Sequence, residues 1–243
     1  VRLTNESSVI EIEHKPRVFF TGSIHGNEPP GREALLRFAE MLARADSPWI
    51  QDILDKLCVF MIPSANPDGW VHFTRYNANS VDLNRDFPTR DTLSDSLNPF
   101  SQPETQAIVN AFQQCMPVSY SVDLHGESTS AYNLDMLQAE RGFTYNQEWK
   151  YSMLVEEIFN MVEDEGLSVS FGECGEIIGY EVTGACGDWM ADMGSIDIDF
   201  ESPYGQESVF IEEHVTNFVI AQCAALIAFC NRAILKDEIR CFA

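Results

Sequence analysis

Basic side chains are scarce in this chain. Its 15 lysines and arginines stand against 38 aspartates and glutamates, a formal net charge of -23 at pH 7. That balance argues against the phosphate backbone of nucleic acids and against anionic membrane surfaces as partners. The acid serves solubility; attraction of cationic substrates is the sharper reading. Long apolar runs are lacking too. The longest, FVIAQCAALIAFC from Phe218, is interrupted by Gln222 and is too short to span a bilayer. The seven cysteines form no CxxC pair or other metal-type cluster. Cys223 and Cys230 share one predicted helix face and are expected to pack rather than bond. Cys174 and Cys186 flank a loop, where an oxidising compartment would let them form a disulfide. Internal repeats and linker-like stretches are also missing, so residues 1–243 are expected to form one domain. The chain opens on Val1 rather than Met and reads as a processed or trimmed product with no signal peptide left. With the cysteines and the glycosylation triplet Asn5-Glu6-Ser7, this gives the expectation of a secreted or extracytoplasmic protein.

What is present is a succession of strand and helix signals. The segment SVIEIEH alternates at period two, and RVFFTGSI reads as a buried strand ending at His25. Pro29, Pro30 and Gly31 break it, and REALLRFAEMLARA has the spacing of an amphipathic helix. LCVFMIPSA reads as a second buried strand running into the turn NPDG. Residues 70–103, rich in Asn, Asp, Ser and Pro, read as a long loop-like stretch, of the kind that in a compact domain is functional or disordered. SQPETQAIVNAFQQC starts a helix, with Ser101 or Gln102 as cap, Pro103 in the first turn and Glu104 favouring the dipole. VSYSVDLHG is a strand ending at His125. A helix around Glu148–Glu165, the strands LSVSFG and SIDIDFES, and a helix over 206–235 complete the pattern. Alternating strands and helices predict an α/β fold with a largely parallel or mixed sheet.

Two of these strands end in histidine, where side chains of α/β sheets converge on a crevice. His25, Glu28 three residues later, and His125 make a set of two imidazoles and one carboxylate. Catalytic zinc takes three protein ligands of this kind and keeps one position for water. His14, His72 and His214 have no such context and read as packed or surface residues.

The stretch NPDGWVHFTRYNANSVDLNRDFP, with SQPET, DLHG, GYEVTG and DFES in that order, resembles the zinc metallocarboxypeptidases of the funnelin family, the carboxypeptidase A/B and N/E relatives. The resemblance covers nearly the whole chain. It implies a three-layer α/β/α sandwich around a mixed, largely parallel twisted sheet, one zinc ion, and peptide or protein C-termini as substrates. On this resemblance His25, Glu28 and His125 hold the metal, and Asp82 orients the first histidine. Arg75 helps hold the scissile carbonyl oxygen, and Asn84 and Arg85 grip the terminal carboxylate. Tyr180 covers the substrate, and Glu201 acts as general base and acid toward a metal-activated water. The physical requirements agree with these assignments. A guanidinium offers a planar two-point grip on a carboxylate, and an amide carbonyl needs positive charge against its growing oxyanion.

Specificity is less directly encoded. In A/B relatives a residue shortly after the mobile tyrosine sets the preference, and here it is Gly187, which neither attracts a cation nor fills a pocket. In N/E relatives an aspartate after the second zinc histidine does so; Asp135 falls one position short of that place, and a one-residue gap would align it. The resulting lean is towards basic C-terminal residues. Two rivals remain: an N-acyl amino acid deacylase of the aspartoacylase type, which shares HGNE and a DLNR-like element, and a non-catalytic peptide-binding relative.

Overall fold

Residues Arg17–Gly22 alternate between two apolar layers. Val18 and Phe20 enter one buried cluster, Phe19 the other, as the period-two geometry of a strand dictates. The computed structural model describes residues 1–88, 98–126, 133–138, 145–163, 168–177, 179, 180, 182, 184–201, 223 and 225–234. Its elements are β1 (Arg2–Leu3), β2 (Arg17–Gly22), α1 (Pro29–Arg44), α2 (Pro48–Lys56), β3 (Cys58–Ile62), α3 (Pro67–His72), α4 (Pro103–Cys115), β4 (Tyr120–His125), β5 (Asn133–Gln138), α5 (Tyr145–Glu163), β6 (Ser168–Glu173), α6 (Cys174–Ile177), α7 (Cys186–Asp192), β7 (Ile196–Asp197) and β8 (Asp199–Glu201). Residues 225–234 are also helical.

The strands form one mixed sheet in the order β1-β3-β2-β4-β8-β5-β6, with β7 also on β4. The pairs β2–β3, β2–β4, β4–β7, β4–β8 and β5–β6 are parallel, and β1–β3 and β5–β8 are antiparallel. One face packs on α1, α2, α5 and the helix over 225–234; the other packs on α4 and α7. This is the three-layer sandwich that the resemblance implied. Phe20 meets Phe38 and Phe229 edge-on at 6.1 Å on the first face, and Phe19 meets Phe112 at 5.2 Å on the second. Such aromatic pairs add about 0.5–1.5 kcal/mol each beyond the area they bury.

Several sequence expectations change. SVIEIEH is not a strand: it bends and closes in a 3-10 turn at Ile12–His14. The edge of β3 is already paired with Arg2–Leu3, so the alternating segment has no ladder to join. Residues 70–103 begin inside α3 and include a 3-10 turn, Leu83–Arg85. NPDG opens α3 instead of a plain turn, with the Asn66 side chain accepting from Gly69 N at 2.8 Å. Cys186 is a free, buried thiol, so the Cys174–Cys186 disulfide does not form; Cys223 and Cys230 are also free. Helix α2 and strand β5 had no sequence expectation. His14 and His72 are exposed, as their lack of context suggested, and His214 lies outside the described residues.

Candidate metal centre

Register places the polar groups. β2 pairs Thr21 with Asp123, and β4 pairs His125 with Glu201 of β8. Alternation therefore sets Thr21, Asp123, His125, Asp199 and Glu201 on the sheet face that α4 and α7 cover. Phe20, Val122, Leu124 and Phe200 go to the opposite face and into its apolar core.

His25 and Glu28 lie in the connection from β2 to α1. Glu28 occupies the N-cap position of α1, yet its side chain makes no capping bond. Pro29 and Pro30 follow it and have no N–H to satisfy, which frees the carboxylate for other partners. Glu28 Oε1 lies 2.7 Å from His25 Nδ1, and Oε2 lies 3.1 Å from His125 Nδ1 and accepts from Gly126 N at 3.1 Å. The loop is seated on α3: a Cβ at Gly26 would fall 1.9 Å from the carbonyl carbon of Gly69, so only glycine permits this approach.

The two Nδ1 atoms face each other at 3.2 Å, and all three residues are buried. One ligand atom from each of His25, Glu28 and His125 lies within 4.8 Å of the others. The remote nitrogens are held from behind. His25 Nε2 is 3.1 Å from Asp82 Oδ1, and His125 Nε2 is 3.2 Å from Asp123 Oδ2. A carboxylate on the far nitrogen keeps the proton there and leaves Nδ1 as a bare lone pair. Two lone pairs and a carboxylate converging in a buried space need positive charge between them. The donor set of two imidazoles and one carboxylate fits zinc.

Titration reflects the same charge arrangement. Burial opposes ionisation of Glu28, but His25 and His125 outweigh it and hold the carboxyl well below the usual carboxylate range. Burial likewise works against the Asp82 carboxylate, and His25 and Arg75 overcome it in the same direction. His25 and His125 are raised, because Glu28 and Asp82 around the first ring, and Asp123 and Glu201 around the second, exceed the burial penalty.

Other expected residues gather around this set. Arg75 donates Nε–H to Asp82 Oδ2 at 2.8 Å, with a terminal nitrogen 3.6 Å from Glu28 Oε1. Asn84 is buried; its N–H donates to Asp82 Oδ1 at 3.0 Å, its Oδ1 accepts from Cys186 N at 2.8 Å, and its Nδ2 lies 3.4 Å from His125 Nε2. Arg85, next in chain, donates to the Asn84 carbonyl at 2.8 Å. Glu201 ends β8 directly across from His125. Tyr180 is 55% exposed. Asp135 pairs with Glu201 across the antiparallel β5–β8 ladder.

Sequence reasoning missed Asp123. The signal was present, since DLH places an aspartate two residues before His125, and a strand puts both on one face. It also missed a buried acid group beyond the metal ligands. Asp197 is pushed up to about 8 by burial and by Asp123, against the Ser121 hydroxyl that donates to it. Asp199 is raised by burial, then by Asp197 and Asp123. Gly187 makes room for this pair, because a Cβ there would sit 2.4 Å from Asp199 Oδ1 and 2.5 Å from Asp197 Oδ2.

An α/β sandwich with a buried His–Glu–His set at its strand ends is the frame of a metal-dependent hydrolase. The zinc carboxypeptidase family matches residues 1–218, and the chain belongs to that family. Carboxypeptidase SOL1 of Arabidopsis thaliana is 39% identical over 139 residues, covering 56% of this chain and 28% of its own length. Human carboxypeptidase Z is 30% identical over 223 residues, covering 75% of this chain and 34% of its own. The chain thus spans about a third or less of the length of these relatives. Among solved structures, carboxypeptidase A from Helicoverpa armigera shares the fold with a TM-score of 0.74 at 18% identity, over 95% of this chain and 64% of that one.

Proposed function

We propose that this chain is a zinc-dependent exopeptidase that releases single residues from peptide or protein C-termini. The observation that carries the reading is the convergence of His25 Nδ1, His125 Nδ1 and the Glu28 carboxylate, each imidazole braced by its own aspartate. Zinc held there would polarise the scissile carbonyl and acidify a water molecule. Glu201, across the strand from His125, would accept a proton from the attacking water and return it to the leaving amine nitrogen. Arg75 brings positive charge to the carbonyl oxygen as it becomes an oxyanion. Arg85 and Asn84 hold the free terminal carboxylate, and Tyr180, standing at the surface, closes over the bound residue.

Preference for a basic terminal residue is part of the proposal. It is supported by the register that sets Asp135 opposite Glu201 and by the net charge of -23. Export is supported by the surface position of the Asn5-Glu6-Ser7 triplet. Among the described residues no helix is long and apolar enough to cross a membrane.

The test offers purified, zinc-loaded protein two substrate sets: unmodified peptides that vary only in the last residue, and N-acyl amino acids. Release of free C-terminal amino acids from the peptides, with Lys or Arg fastest, is expected. Release of acyl groups with intact peptides would instead assign the deacylase chemistry.

A further inference from the structure

Resting on the reading above, we propose that Asp86 is a positioning residue for recognition of the substrate's terminal carboxylate. It locks the turn that carries Asn84 and Arg85 onto the start of α4. Asp86 is 3% exposed, and both its carboxylate oxygens are occupied. Oδ1 accepts from Ser101 N at 3.0 Å and Ser101 Oγ at 2.8 Å; Oδ2 accepts from Gln102 N at 3.0 Å and Thr105 Oγ1 at 2.5 Å. Its backbone carbonyl takes a further bond from Phe100 N at 2.6 Å.

These bonds replace a local cap. The N-cap residue of α4, Gln102, makes no capping bond with its side chain, and Pro103 has no N–H to offer. Asp86 therefore serves as the acceptor that the helix start lacks, and its negative charge suits that end of the helix. In return, α4 fixes the backbone immediately after Arg85. The same turn is tied at its other end through Asp82, and Phe87 N donates to Gly184 O at 3.1 Å. Arg85 donates its guanidinium N–H to the Asn84 carbonyl, so its aim follows the backbone of residues 84–86. A guanidinium gripping a carboxylate at two points tolerates little displacement, and a shift of about 1 Å in a bound group can cost about a hundredfold in rate.

The experiment compares zinc-loaded wild type with Asp86→Ala, Asp86→Asn and Thr105→Val, each also combined with Arg85→Ala. Substrates are one peptide with a free C-terminus and the same peptide amidated. Asp86→Ala is expected to raise KM for the free acid about tenfold or more, with kcat within about threefold. Preference for acid over amide should shrink, and one zinc per chain should remain bound. Asp86→Asn, which keeps one acceptor oxygen, should recover part of the KM. Thr105→Val should move KM the same way by less, which keeps the test decisive if the alanine variant does not fold. In the Arg85→Ala background each of these changes should raise KM by a smaller factor than in wild type.

A merely structural Asp86 gives another pattern: a lower melting temperature and less active protein, with KM and acid-over-amide preference as in wild type, and effects additive with Arg85→Ala. That pattern overturns the proposal. Failure of the underlying reading is distinct, since it appears in the wild type itself as no release of C-terminal residues.

Discussion

The chemistry at residue scale is set by which atom of each histidine is left bare. Asp82 and Asp123 occupy the Nε2 side of His25 and His125, so both Nδ1 atoms turn inward towards Glu28. Glu201 shares a register position with His125, and the proposed function gives it the proton transfer. Glu201→Gln is expected to cut kcat by about 10²–10⁴ while zinc content and peptide affinity stay at wild-type levels. Steady-state kinetics with metal analysis checks this, and normal turnover would remove Glu201 from the role. Arg85→Ala should erode the preference for free over amidated C-termini, read as the ratio of kcat/KM for the two. His25, Glu28 and His125 were legible because their spacing and strand-end positions carry the signal. Asp123 was overlooked because its meaning depends on knowing which strand face is wet. The burial of Cys186 depends on tertiary packing that local sequence does not report.

Elements position these residues through close contacts between backbones. Helix α1 starts beside β4, and a Cβ on Gly31 would lie 2.6 Å from both Cβ and the carbonyl oxygen of Leu124. Gly31→Ala should therefore push α1 away from the strand that bears His125, at a cost of about 1–3 kcal/mol. Denaturant titration would show it as a lower midpoint at unchanged slope; a neutral result would mean the two elements separate without strain. Strands β2, β3 and β4 were legible as apolar runs with turn signals after them, as was α4 from its proline and acidic first turn. SVIEIEH misled because period-two alternation reports a half-buried strand only where a neighbouring edge is open, and here Arg2–Leu3 holds the edge of β3. The cap of α4 was expected from Ser101 or Gln102. Asp86 supplies it from 17 residues before Pro103, a distance no local rule spans.

On the scale of the whole molecule, acidic groups outnumber basic ones, and several of them, Glu28, Asp86, Asp123 and Asp197, are buried. Burial and the neighbouring Asp123 push Asp197 up to about 8 from its ordinary 3.8, so the folded state keeps a proton that the unfolded state gives up. Stability from this group is full below the ordinary value and is lost as pH rises towards and through 8. Asp197→Asn should flatten that decline, and its melting temperature should fall less than wild type's between pH 6 and pH 9 (roughly the upper part of the window). Parallel curves would show that Asp197 is not the titrating group. Asp123, His125, Asp197, Asp199 and Glu201 share the sheet face that α4 and α7 cover, beside the cluster of Phe19, Phe112 and Trp189, while Phe20, Phe38, Phe200 and Phe229 pack on the opposite face. Metal content tests this organisation most directly: zinc bound per chain, measured after preparation without chelator and equilibration with zinc, for wild type and His125→Ala. The account predicts one zinc in wild type and a large loss in the variant. A zinc-free wild type, or a variant holding the same zinc, would contradict it.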